Sequence, residues 1–156
     1  MARKPASFWR RHRYTFSALV LLLPGWFYYQ SLHPVFPAVW PEQQIAQLKV
    51  SAMPFDQLPP YLHDGLYVKD FMLMFADADI SGIRQAFLNI GPAPLPLQQL
   101  QVAELGILHG SRYGQHAHAL AAEKIRAGDK LWLVMQDWSG TLHTTSWEIP
   151  AQYLAD

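Results

Sequence analysis

From Leu48 to Ile149 the chain is cut at short intervals by turn-forming pairs: Pro59-Pro60, Asp64-Gly65, Ser81-Gly82, Gly91-Pro92, Gly128-Asp129 and Ser139-Gly140. Glycine reaches backbone angles that other residues avoid and proline cannot donate to a hydrogen-bond ladder, so such pairs end regular structure where they fall. The runs between them are too short for a long amphipathic helix. They predict strands over 49–55, 67–75, 83–90, 116–123, 130–137 and 142–149, with a weaker one over 102–108. The expected fold class is therefore mainly β, and short strands at this spacing favour a β-sandwich. The run 130–137 is apolar on both faces, as a central strand would be, and Trp138-Ser139-Gly140 turns it into the more alternating run 142–149.

A length of 156 residues suits one domain with a short appendage. At 51% apolar and 15% charged the composition can bury a core and does not fit a disordered chain. The absence of cysteine excludes disulfides, thiolate metal sites and cysteine nucleophiles.

Zero net charge hides an asymmetry. Arg3, Lys4, Arg10, Arg11 and Arg13 precede the first acidic residue, while the remainder of the chain is net acidic and has no basic stripe, which argues against a nucleic-acid footprint on the large domain. After the basic start comes an uncharged run, Tyr14 to Tyr29, flanked by Phe8 and Trp9 on one side and ending in Trp26, Phe27, Tyr28 and Tyr29. Cations followed by an apolar run with aromatic ends predict a single transmembrane helix, kinked or ended near Pro24, with the lipid bilayer as a partner. A cleavable signal peptide starts the same way, but QSLHPVFPAVWPEQQ lacks the small residues that cleavage needs, so an uncleaved anchor is preferred.

The expected organisation is thus a cytoplasmic tail (1–13), an anchor (14–32), a stalk carrying Pro34, Pro37 and Pro41 (33–47) and an extracytoplasmic β domain (48–156). That organisation implies an inner-membrane, single-pass protein with its C-terminal domain in the periplasm.

The stretch IRAGDKLWLVMQDWSGTLHTTSWEI resembles the closing strands of bacterial immunoglobulin-like modules, in which a Gly-Asp turn opens a long strand and an Asp-x-x-Gly hairpin leads to an edge strand. ADISGIRQAFLNIG is similar to an earlier strand of such modules. The resemblance implies an immunoglobulin-like β-sandwich and carries no catalytic residues with it.

No phosphate loop, nucleophile elbow or His-Glu-x-x-His helix is present, so a non-enzymatic role is expected. Histidine is the polar residue to weigh. On a strand His116 and His118 emerge on one face, about 6.5–7 Å apart at Cα, a spacing from which two imidazoles bind one Zn or Cu ion. His109 returns to the same spot as a third ligand if the chain turns across Gly110 to Gly114, and His63 and Asp64 are loop candidates for a fourth. The bland alternative is a solvated polar face. HAHALAAEKIRA itself reads as a strand by alternation or as a helix by its alanines; the turn at Gly128-Asp129 favours the strand.

Met72 and Met74 raise the prospect of copper(I), which thioethers select, but alternate methionines in an apolar strand are expected to fill the core. Asp77 and Asp79 hold only a fragment of a calcium loop and are expected in a solvated turn. Of Trp132, Trp138 and Trp147, two are expected in the core, with Trp138 exposed at the hairpin tip as a partner-binding residue. Two functions follow as expectations. One is an accessory protein of a cell-envelope complex, bound to a larger membrane protein and active in metal uptake or metalloprotein assembly. The other is a zinc- or copper-handling domain built on the histidines.

Overall fold

Phe71, Leu73 and Phe75 point inward along the strand Leu66–Phe75, while Asp70, Met72 and Met74 stay half-exposed, so one strand already separates an inside from an outside. The computed structural model describes residues 8–76, 79–103, 106–111 and 114–155, in two compact units, Met1–Val35 and Phe36–Asp156.

Among the described residues the second unit holds nine strands: β1 (Gln43–Ile45), β2 (Leu48–Pro54), β3 (Tyr61–His63), β4 (Leu66–Phe75), β5 (Ile83–Gly91), β6 (His109–Ser111), β7 (Gly114–Leu120), β8 (Lys130–Asp137) and β9 (Leu142–Glu148). They form one sheet in the order β1-β2-β4-β7-β5-β8-β9, with β3 added beside β4 and β6 beside β7. Neighbours are antiparallel except β5 and β7, which run parallel. The sheet curls until β9 lies beside β1, giving a nearly closed barrel.

This corrects the expected fold class: the chain is mainly β, but a single curled sheet stands where two packed sheets of an immunoglobulin-like sandwich were expected. Both faces of a curled sheet can be apolar when the interior is filled and a helix covers part of the exterior, a pattern that strand spacing alone does not distinguish from a sandwich.

The barrel interior contains Trp40, Val50, Ala52, Phe71, Leu73, Leu88, Leu131, Leu133 and Trp147. Trp147 also donates from Nε1 to the Pro41 carbonyl, 2.8 Å away. Residues 36–47, read from sequence as stalk, belong to the β unit, since Trp40 and Ile45 are buried in its core and β1 pairs with β2. Outside the barrel, α2 (Leu97–Ala103) covers one end of the sheet, where Leu100 packs with Val68, Phe87, Leu120 and Val134. The weak strand expected over 102–108 is thus partly this helix; residues 104–105 lie outside the described residues.

The closing hairpin forms as expected from β8 and β9, but Trp132 is only half-buried on the outer face, where its Nε1 donates to the Gly91 carbonyl at 2.9 Å. Trp147 is the buried one of the hairpin tryptophans.

In the first unit, α1 (Phe8–Leu32) runs through Pro24 without ending there. Among the described residues no helix is long and apolar enough to cross a membrane. The strongly apolar stretch of α1 is confined to Ala18–Leu23; Thr15 and Ser17 before it, and Pro24, Gly25, Gln30 and Ser31 after it, dilute the rest. The transmembrane, single-pass anchor is therefore overturned. The cytoplasmic N-terminus, the inner-membrane location and the periplasmic domain, which all rested on that helix, fall with it.

Candidate metal site

Strand register assembles the site on the part of the outer face that α2 leaves open. Ala117 and Ala119 point into the core, so His116 and His118 between them point out. The β6–β7 hairpin then places His109 directly across from His116, and the β4–β7 ladder places Asp70 across from His118 and Met72 across from His116. Directly opposite residues on neighbouring strands share a face and bring their side chains together.

One ring nitrogen from each of His109, His116 and His118 lies within 4.8 Å of the other two. A tetrahedral zinc with bonds of about 2.0–2.1 Å holds its ligands roughly 3.3 Å apart, so this set would have to draw in by ring rotation to hold an ion. The His109 and His116 rings meet edge to face at 3.6 Å between centroids, and His118 stands 5.6 Å from His116.

Each ring also has one side held by an oxygen acceptor. His118 donates from Nδ1 to Asp70 Oδ1 at 2.5 Å. His109 donates from Nδ1 to the Ile107 carbonyl at 3.2 Å. His116 is hydrogen-bonded to the backbone of His109. A carboxylate or carbonyl only accepts, so Nδ1 of His109 and of His118 is the donor in these bonds. Tyr61 completes the support by donating to both oxygens of Asp70, at 3.1 and 3.0 Å. Its own proton is held more firmly than an ordinary phenol's, first because the group is partly buried, then because of the Asp70 hydrogen bond and the charges of Asp70 and Asp56.

The His116 imidazole is pushed below its usual pKa, mainly by burial and next by the neighbouring His109 and His118; the Asp70 charge and the His109 backbone oppose this. Burial and like neighbours both disfavour the imidazolium and so favour the neutral ring, the form that binds metal.

The loop between β2 and β3 closes one side of the site. Phe55 stacks over His116 with centroids 6.2 Å apart. The loop is fastened by Lys69, whose buried ammonium donates to Asp56 Oδ1 at 3.0 Å, to the Asp56 carbonyl at 3.2 Å and to the Leu58 carbonyl at 2.6 Å. All three of its donors are used, which is what allows a lysine to be buried.

His63 arrives on β3 and stacks on His118 at 5.0 Å between centroids, but stands outside the set of three. Its Nε2 lies 3.6 Å from Asp64 Oδ2. Met72 and Met74, expected in the core, are on the outer face with the histidines: their inward neighbours are Phe71, Leu73 and Phe75. Asp79 accepts from the Ser81 amide at 3.0 Å in a local turn, and Asp77 lies outside the described residues. Trp138 is exposed at the hairpin tip and donates from Nε1 to the Ser81 carbonyl at 2.8 Å. Sequence reasoning missed Asp70 and Tyr61. The available signal was an acid set among the apolar residues of YVKDFMLMF, at a position that alternates outward with Met72.

The family model of Uncharacterised conserved protein UCP029505 matches residues 8–150, and the chain belongs to that family. No curated protein and no solved structure matches the chain.

Proposed function

We propose that this member of the family binds a transition-metal ion through His109, His116 and His118. The observation that carries the reading is that one ring nitrogen from each of three histidines lies within 4.8 Å of the other two, while each ring is also hydrogen-bonded to a carboxylate or to the backbone. Ligating histidines need such partners to fix ring and tautomer, and a solvated polar face has no reason to provide them. Three protein ligands leave a coordination position for water, for His63 or for a group on a partner from which the ion is received or to which it passes.

Calorimetry on the full chain with Zn²⁺ and with Cu²⁺ tests the reading. One ion should bind per chain in the micromolar range or tighter, and the double variant His116→Ala, His118→Ala should lose that binding. Weak binding that the double variant leaves unchanged overturns it.

A second reading is an accessory protein that docks a larger partner. It draws on Trp138, whose indole is 71% exposed although its Nε1 is anchored, the combination of an ordered aromatic and a free face that interfaces favour. Loss of partner capture on Trp138→Ala, with the fold unchanged, tests it.

A further inference from the structure

Cross-strand register builds a row on the outer face that the histidine set alone does not explain. Met53 on β2 lies opposite Met72 on β4, Met72 lies opposite His116 on β7, and His116 lies opposite His109 on β6. Two thioethers and two imidazoles therefore line up across four adjacent strands. Neither methionine is among the buried core residues, although the residues flanking each of them are buried.

Position 114, two residues before His116 on the same face, is glycine, and the Met72 sulfur occupies the space that a side chain there would take: a Cβ on Gly114 would come within 2.9 Å of Met72 Sδ. The thioether thus lies over β7 itself, on the flank of His116. Methionine is unbranched and turns about three side-chain bonds, so from its place directly opposite His116 the sulfur can swing toward that imidazole by side-chain rotation alone.

We propose that the ion held here is copper(I), with Met72 Sδ as a ligand beside the imidazoles and Met53 behind it. The proposal rests on the metal-binding reading above and specifies its ion. Thioether sulfur is a soft, neutral donor that selects Cu(I) and adds little for Zn²⁺.

The chain has no cysteine, so any sulfur bound to copper in it comes from methionine. The test uses the full chain under anaerobic, reducing conditions. Cu(I) affinity is measured by competition with a chromophoric Cu(I) chelator, Zn²⁺ affinity by competition with a zinc chelator, and the X-ray absorption spectrum of the Cu(I)-loaded chain reports sulfur scatterers. Met72→Leu conserves volume and leaves the histidines in place. It is expected to lower Cu(I) affinity at least tenfold, remove the sulfur scatterer and leave Zn²⁺ affinity within about twofold. Met53→Leu should show a smaller loss in the same direction. Cu(I) affinity unchanged by Met72→Leu, with a spectrum showing nitrogen alone, overturns the copper–thioether assignment and leaves the histidine reading standing. If the unmodified chain binds neither ion, both fall.

Discussion

Asp70 Oδ1 sits 2.5 Å from His118 Nδ1 across the β4–β7 ladder, 48 residues away along the chain. The carboxylate fixes the tautomer of His118 and makes its Nε2 a stronger donor, so Asp70→Asn should weaken metal binding by about 10–100-fold without touching a ligand. Circular dichroism should be unchanged, while calorimetry reports the loss. Unchanged affinity in this variant would mean that His118 orients itself without help.

Gly110 provides a way to move His109 without replacing it. Its φ of 142° belongs to the region that glycine favours, and a Cβ there would lie 2.5 Å from the Gly114 carbonyl oxygen and 3.2 Å from Gln115 Cα. Both are backbone atoms of β7, so Gly110→Ala should push β6 off β7 and carry His109 away from His116. Metal affinity is expected to fall by as much as His109→Ala should lower it, with the thermal midpoint of the metal-free chain lowered only slightly because β6 is short and exposed.

The tryptophans of the closing hairpin should separate clearly in denaturant. Trp147→Ala removes a side chain that is 1% exposed and orphans the Pro41 carbonyl, and is expected to cost about 3–5 kcal/mol. Trp132→Ala removes a half-buried ring and one hydrogen bond and should cost well under that, on the order of 1–2 kcal/mol. Urea unfolding followed by far-ultraviolet circular dichroism measures both, and equal costs would contradict the facing of β8.

Acid stability should carry the signature of Asp137. Hydrogen bonds from Ser139 and His143, followed by the Thr141 and Ser139 amides, bring its pKa from 3.8 down to about 2. A depressed carboxylate stabilises the fold at pH values above its unfolded pKa, and that stabilisation is lost as pH falls through the folded value. Urea midpoints should therefore drop between about pH 4 and pH 2, and Asp137→Asn should flatten that segment of the curve. A curve of the same shape in the variant would assign the acid loss to other carboxylates.

Much of the site was legible because it is local. Alternation put His116 and His118 on one face, and a return across Gly110 to Gly114 brought back His109, all within one hairpin. Asp70 was not legible, since pairing β4 with β7 rather than with a nearer strand is a property of the whole sheet order. Met72 was given the wrong face for a related reason: in FMLMF both alternating sets are apolar, and only the packing of Phe71 against Trp40, at 5.3 Å between rings, shows which set is inside. The seven-residue helix α2 follows a proline-rich entry, and the run 102–108, which reads as a strand, overlaps only its last two residues. In α1 the basic and aromatic flanks are those of a membrane segment, but the apolar stretch between them is too brief.

His109 stands on an edge strand of three residues, all exposed, whose ladder partner is β7. So short an edge should fray, opening and reclosing many times before the barrel unfolds. An ion bridging His109 to His116 and His118 would act as a rivet through that edge. Amide hydrogens at Gly110 and Ser111 should exchange with solvent rapidly in the empty chain and slow sharply once the ion is bound, while those of β8 keep the same pace. Metal loading would then be readable at the rim of the sheet as a local change in breathing, and any partner that recognises the rigid rim could tell the loaded chain from the empty one without touching the ion.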